Sequence, residues 1–455
     1  MKRIMKMRIA LLLIVFFLIA VKNFAQDTAA LTGTVSLQQC IDIAIKNNLQ
    51  VNENEFIAEG SRVSLQQARG NYLPYISASI GHSLSEGRVI NNATNQYVTQ
   101  SSTSASYNLS TSLTLWNAGS IRNFVSSSRL TYEATKMDLQ QQKDNITINV
   151  ILAYLQVLSN EEQLAAAQQQ VESFGIQVKK LIDQAKEGAL SNPATLTDLK
   201  GSLAAGELSV VNAQNALESS KIVLLQYLNV PYSSSFDLQK LDENLTPVLY
   251  DAGSDAIYQQ ALNNLAYIKA ARFRSLSAIK SLRSAKGQLW PTLSFNPNLG
   301  SSYSSYILTP TGDKIPYTTQ LGNNFGSSFG LNLYIPILQG LQGKSRVDQA
   351  RITVKRTDFE EKSNKTTLQQ NVEQAYINMN SGYDRFQKLQ DQVNDYTESF
   401  RVAQVRFDAG LYTSTEYIIA KTNLDQATIN LIAEKYDFIL RTKILDYYEG
   451  KLSIK

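Results

Sequence analysis

The sequence predicts a duplicated, largely helical chain that also carries four short β-strands of membrane-barrel type. Three observations lead there. The same landmarks occur twice in the same order, 222 positions apart where the alignment is ungapped. All nine prolines avoid the interiors of the long helix-like stretches. Four segments alternate apolar with small polar side chains, a period of two that belongs to strands.

The chain has 455 residues, and residues 1–25 read as a secretory signal peptide. Lys2, Arg3, Lys6 and Arg8 precede an apolar run over 9–21, and small residues lead to Ala25. That run is too short and too terminal for a good membrane helix. The signal holds five of the 43 basic residues, which leaves 38 basic against 39 acidic. Nucleic acid is therefore not an expected partner. One cysteine, Cys40, excludes an intrachain disulfide framework. One histidine, His82, argues against a His-based triad or metal site. No nucleophile–base set, phosphate loop or metal cluster stands out, so neither an enzyme nor a cofactor is expected. "LQQC", ending at Cys40, resembles a lipoprotein cleavage site but lies well beyond the apolar run. Cys40 is read as a small residue on a helix face.

Repeat one spans 26–228, with helices at 36–71, 120–187 and 193–228 and strands at 75–86 and 104–115. A linker or equatorial segment follows at 229–254. Repeat two spans 255–450, with helices at 255–288, 341–408 and 414–449, strands at 292–303 and 325–336, and a tail at 451–455. "ARGNYLP" before the first strand matches "AKGQLWP" before the third. Ala153-Tyr154 aligns with Ala375-Tyr376, and Gly188 with Gly410. Proline inside a helix costs on the order of 3 kcal/mol, so its exclusion from these stretches is informative. Leu164, Val171, Val178 and Ala185 fall seven apart, with Ala167, Phe174 and Leu181 between them, an a/d seam. An ordinary helical bundle has the same seam. At 1.5 Å per residue the 120–187 helix makes a rod of roughly 100 Å. The two shorter helices, end to end, match it.

"AKEGALS" around Gly188 and "FDAGLYT" around Gly410 interrupt the helices at one tip of that rod. "TSTE", residues 413–416, is a capping box that restarts the helix after the second.

In the first strand Ile76, Ala78, Ile80 and Leu84 alternate with Ser77, Ser79, Gly81 and Ser83. The other strands alternate alike, though Pro297 interrupts the third. Each has roughly the length that spans a bilayer as a tilted strand. Trp116, Trp290, Tyr72 and Tyr75 cluster where strands meet helices, as membrane-interface aromatics do. Residues 86–103 and 304–324 read as long, polar, outward-facing loops. A soluble sheet with one buried face has the same alternation. If the strands lie in a membrane, four cannot close a barrel, and an open edge cannot stand in lipid. Two chains with eight strands or three with twelve satisfy that condition.

The duplicated unit, "AIKNNL" after the first helix start, the proline corners and the two glycine loops together resemble the TolC-type outer-membrane efflux protein family. The resemblance covers nearly the whole mature chain. It implies a homotrimer with one shared twelve-stranded transmembrane β-barrel on an all-α coiled-coil tunnel. It places the protein in the outer membrane of a Gram-negative bacterium, extending into the periplasm. It implies a passive exit duct of a tripartite efflux or type I secretion system for small molecules or exported polypeptides. The implied partners are a periplasmic adaptor, an inner-membrane RND or ABC-type transporter, and outer-membrane lipid. Adaptor docking maps onto Gly188, Ala189, Leu190 and Ser191, and onto Gly410, Leu411, Tyr412 and Thr413. The family's mouth carries two acids three residues apart. Here those positions are Glu416 and Ile419, so one acidic ring remains and the other is apolar. Glu416 also has a purely structural reading as the third residue of the capping box, and the two readings are compatible. Phe407 is either a gate or a packing residue. The competing function is a trimeric coiled-coil surface adhesin or scaffold without transport. It predicts a single terminal barrel-forming segment, and the internal duplication argues against it.

Overall fold

The computed structural model describes residues 33–91, 95–188, 192–232, 236–241, 249–250, 252–309 and 311–451. The predicted signal peptide, tip residues Ala189, Leu190 and Ser191, and residues 452–455 of the tail lie outside them.

Duplication is visible in the element lengths. Repeat one contains α1 (Leu37–Asn47), α2 (Leu49–Gly70), α3 (Ser120–Lys186) and α4 (Pro193–Leu228). Repeat two contains α5 (Ser254–Asn264), α6 (Ala266–Gly287), α8 (Gln342–Asp408) and α9 (Ser414–Glu449), with a short extra helix α7 (Tyr317–Asn323). The paired helices have 11, 22, 67 and 36 residues in each repeat. Among the described residues no helix is long and apolar enough to cross a membrane.

The first helix of each repeat departs from expectation. Single helices over 36–71 and 255–288 were predicted. Each is instead broken by one extended residue, Asn48 (φ −65°, ψ 126°) and Leu265 (φ −68°, ψ 133°). Neither proline nor glycine stands at either break, so local propensity gives no warning. The breaks are held by tertiary contacts at the far end of each repeat. Asn229, left-handed at φ 52°, caps α4 and donates from Nδ2 to Asn47 O at 3.2 Å. Gly450, left-handed at φ 73°, follows α9, and Asn264 Nδ2 donates to Glu449 O at 3.0 Å. A Cβ on Gly450 would lie 2.9 Å from the Asn264 side chain, so the close approach requires glycine.

Contacts divide the chain into two units, 1–48 with 149–246 and 389–436, and 49–148 with 247–388 and 437–455. The first unit holds a two-stranded parallel sheet of β1 (Gly33–Val35) and β4 (Phe236–Leu238). Tyr154, fully buried, donates its hydroxyl to Gln239 O at 2.5 Å beside that sheet. Cys40 is buried on α1, and loss of hydration pushes its thiol up to about 12. Helix α1 opens with a capping box of Ser36 and Gln39, so Cys40 sits inside a formed helix.

The second unit holds the antiparallel sheet in the order β2 (Tyr75–Asn91), β3 (Gln96–Trp116), β5 (Thr292–Ser304), β6 (Gly326–Tyr334). Its helical part packs around Ile257, Ile268, Leu368, Val372, Met379 and Leu445. Small residues let α3 and α6 approach closely. Ser120 and Ser284 exchange hydroxyl-to-carbonyl hydrogen bonds at 3.0 Å, as do Ser127 and Ser277. A Cβ on Gly287 would meet the Ser120 backbone at 3.1 Å.

Two predicted loops are corrected. Residues 86–103 are not a loop throughout, because β2 and β3 stay paired from Tyr75↔Ser112 out to Asn91↔Gln96. Pairing of β3 with β5 begins only at Ser104↔Ser304, so the outer part is a two-stranded ribbon. Threonine, valine and tyrosine there sustain strand geometry. The 304–324 connection is not merely polar loop, since it contains α7.

A buried thiol with so high a pKa reacts slowly. Iodoacetamide at pH 8 is expected to leave Cys40 unmodified in the folded protein and to alkylate it after denaturation. Rapid alkylation of folded protein would contradict the packing of α1.

Candidate functional site

Two features carry functional geometry, the helix tips in the first unit and the sheet in the second.

At the tips the same backbone solution appears twice. Helix α3 ends in Gly188 at φ 73° and α8 in Gly410 at φ 71°. Gly410 N donates to Phe407 O at 3.0 Å and Leu411 N to Arg406 O at 2.8 Å, a Schellman ending. Nothing crowds either glycine, so the left-handed backbone itself is the reason for the residue. The chain then re-enters helix through a side-chain cap. Asn192 Oδ1 accepts from Ala194 N at 3.0 Å with Pro193 as the first helical residue. Thr413 Oγ1 accepts from Glu416 N at 3.3 Å, while Thr413 N donates to Glu416 Oε2 at 2.7 Å. The backbone N–H of Thr413, then its hydroxyl, hold the Glu416 carboxyl below the ordinary glutamate range.

Beneath the loops lies an aromatic core. Tyr417, fully buried, receives Phe407 stacked at 4.8 Å, Phe400 at 5.5 Å and Phe174 edge-on at 6.4 Å. Polar links join the two repeats around it. Lys180 Nζ pairs with Asp408 Oδ1 at 2.7 Å, and Ser414 Oγ donates to Asp198 Oδ2 at 2.8 Å. Arg406 donates to the Tyr412 hydroxyl at 3.0 Å and lies over its ring.

The predicted tip residues border two grooves, with Tyr412 lining both. Tyr412, Glu416 and Ile419 border one open groove of about 430 Å³ between α8 and α9. Phe407 turns away from it onto Tyr417 and borders a second groove of about 340 Å³. Gln177, Lys180, Asn192 and Thr413 from both repeats line that second groove. The Phe407 ring is half-buried, with one contact made to Tyr417. Tyr417, Lys180, Asp408 and Asp198 were missed from sequence. The seven-residue spacing of Phe400 and Phe407 is the one signal that pointed toward an aromatic layer.

The sheet has two chemically distinct faces. Register places Ile76, Ile80, Leu84, Leu109, Leu113, Phe295, Leu299, Phe329 and Leu331 on one. Ser77, Ser79, Ser83, Ser106, Asn108, Ser110, Asn298, Ser302 and Ser328 occupy the other. Hydroxyl pairs Ser77–Ser110 and Ser83–Ser104 run across it at 2.9 and 2.7 Å. No acidic or basic side chain of the four-stranded region faces either side. A register shift between Thr114 and Trp116 pairs Trp116 with Leu293 and so turns its indole to the apolar face. Tyr72, Tyr75, Trp116 and Trp290 are all exposed at this end of the strands. Tyr75 falls on the serine face, unlike Trp116.

Comparison with known proteins agrees with this geometry. A family model described as outer membrane efflux protein matches residues 40–230 and 257–441. The outer membrane protein TolC of Salmonella enteritidis is 23% identical over 434 residues, 93% of this chain and 84% of that protein. The pyoverdine export outer membrane protein OpmQ of Pseudomonas putida is 24% identical over 404 residues, 86% of this chain and 80% of that protein. Among solved structures, the CmeC outer membrane channel of Campylobacter jejuni superposes with a TM-score of 0.77 at 18% identity, over 92% of this chain and 87% of CmeC. The open-state MtrE outer membrane channel of Neisseria gonorrhoeae gives 0.75 at 16% identity, over 92% of this chain and 89% of MtrE.

Tyr417 organises the tip through its ring. Tyr417→Ala is expected to destabilise this region by about 3–5 kcal/mol, as for other buried aromatic truncations. Hydrogen exchange should then quicken across residues 174–182 and 414–421, while Tyr417→Phe leaves protection in place. Equal protection in both variants would show that the aromatic layer does not hold the tip.

Proposed function

Because this chain belongs to the outer membrane efflux protein family, we propose that it forms the passive exit duct of a tripartite efflux or type I secretion system. The protein resides in the outer membrane. The observation that carries the reading is the sheet, with one apolar face, one uncharged hydroxyl and amide face, and two open edges, β2 and β6. In lipid an open edge leaves backbone groups unsatisfied, so several copies must close one barrel. Three copies give twelve strands. The apolar face meets lipid and the serine–asparagine face lines a wet outlet. Trp116, with Trp290 and Tyr72, marks the lipid–water boundary on the helical side. Tyr75, on the serine face, lies at the inner mouth of the outlet.

Gating belongs to the tips. Glu416 and Ile419 border one groove, so three copies bring an acidic ring and an apolar ring together at the periplasmic mouth. Phe407 acts from behind, through Tyr417, by fixing the start of α9. The groove shared by the two repeats, with Gly410, Tyr412 and Thr413 among its lining, receives the hairpin of a periplasmic adaptor. Docking there competes with the Lys180–Asp408 and Ser414–Asp198 links and loosens the closed arrangement. An inner-membrane RND or ABC-type transporter supplies the energy. The neutral outlet passes solutes without selecting their charge, which leaves charge selection to the mouth.

Planar-bilayer recording tests this directly. Assembled protein is expected to conduct, with conductance raised by Lys180→Ala together with Ser414→Ala. Assembled protein that conducts in neither form would refute the duct. Glu416 should confer a cation preference that Glu416→Lys reverses, read from the reversal potential in a salt gradient. The carboxyl is held below the ordinary range, so the preference should persist through mildly acidic pH. It should vanish only as pH falls through that lowered pKa.

A further inference from the structure

Inside one chain the two repeats meet where β3 pairs with β5, and the helices that adjoin those strands touch as well. Helix α3 leaves β3, and α6 leads into β5. Ser120 and Ser127 of α3 exchange hydrogen bonds with Ser284 and Ser277 of α6, and Ser120, Ser277 and Ser284 are buried by the contact. Gly287 lets the helix ends meet, since a Cβ there would lie 3.1 Å from the Ser120 backbone.

The same pair of faces is uncovered at the two edges of the chain. Helix α2 leads into β2 and α8 leaves β6, the open edge strands of the sheet. Their lengths equal those of α6 and α3, so positions correspond one to one from the strand ends. Gly70 stands where Gly287 does, and Gly60 where Ser277 does. Gln342 and Gln349 stand for Ser120 and Ser127. Neither glycine is left-handed, and among the described residues a Cβ on either would meet nothing within 4 Å. A helical glycine is less stable than alanine, so the lone chain gives no reason for these two. Phe56, Ile57 and Val63 beside Gly60 are exposed, as is Ile352 beside Gln349.

The corner after β6 extends this edge. Residues 117–119 join β3 to α3 inside the chain, whereas 335–341 join β6 to α8. Ile337 and Leu338 in the longer corner are 92% and 91% exposed. Leu341 is left-handed at φ 67°, where the internal corner has Gly119 at φ 72°. An apolar side chain is thus kept at a position that glycine fills more easily. The corner before β2 exposes Leu73. Lipid would meet both corners alike, yet only the one on the open edge carries the apolar addition. Gly60 and Gln349 lie outside the strands altogether.

We propose that α8 of one copy packs on α2 of the next through Gly60 and Gly70, repeating between copies the α3–α6 contact made within a chain. Antiparallel pairing sets the end of β6 beside the start of the next copy's β2, so Ile337, Leu338 and Leu341 close over Leu73 there. The inference rests on the shared-barrel reading and names the helix faces that hold its copies together.

Disulfide trapping in outer membranes tests the contact, with Cys40→Ser as background. Gln349→Cys with Gly60→Cys is expected to link copies into a covalent trimer on oxidation. Ser127→Cys with Ser277→Cys, the internal counterpart, should close within one chain. Gly60→Leu with Gly70→Leu should keep the helical content of the unaltered protein, because each chain has room for both side chains. It should speed trimer dissociation in detergent at least tenfold. Where the leucine variant loses its helices, the cysteine pairs decide. An amine crosslinker that captures trimers whose Gln349–Gly60 pair stays reduced, or joins another protein, overturns the contact and leaves the shared barrel standing. An unchanged dissociation rate in folded leucine variant also overturns it. Chains that the amine crosslinker never captures together overturn the contact and the shared barrel alike.

Discussion

A backbone in lipid must satisfy its own hydrogen bonds, and the rest of the structure follows from how this chain meets that demand. Four strands pair with one another but leave β2 and β6 with unpaired edges. No turn or helix within the described residues covers them. Completion therefore comes from further copies, and the fold is best understood as a fraction of a larger object. The alternating faces make sense only in that object, where one side meets acyl chains and the other meets water. The absence of Asp, Glu, Lys and Arg from the four-stranded part of the sheet fits both sides, since a charge facing lipid is costly and a charge in the outlet would select among solutes.

The helical part repeats one solution twice. Each repeat ends in a left-handed residue, Asn229 or Gly450, that lies against the break in its own first helix. Each tip turns on a left-handed glycine and restarts on a side-chain cap. The copies differ where function would diverge. Only the second carries an acidic residue in its capping box, and only the second contributes the buried tyrosine that stacks the tip together. Glu416 is structural and electrostatic at once, because the hydrogen bonds that cap α9 also keep its carboxylate charged.

Much of this was legible in the sequence. Period-two alternation in "YISASIGHSL" identifies both faces of β2, and proline exclusion identifies the long helices. What sequence could not supply is of three kinds. The breaks at Asn48 and Leu265 are imposed by contacts remote in the chain, with no local breaker residue. The ribbon beyond Ser85 and the helix at Tyr317–Asn323 depend on pairing and docking, while composition there only says polar. The stack of Phe407 on Tyr417 is a contact between residues ten apart across a turn, which spacing alone does not reveal. The Asp198, Lys180 and Asp408 links join positions more than 200 residues apart, beyond any spacing rule.

Copy number is the quantity on which everything else rests. Covalent crosslinking in intact outer membranes, resolved by mass, measures it most directly. A shared twelve-stranded barrel predicts a ladder that ends at three chains, with crosslinks joining the β6 edge of one copy to the β2 edge of the next. Protein that remains monomeric in the membrane, with both edges uncrosslinked, would contradict it.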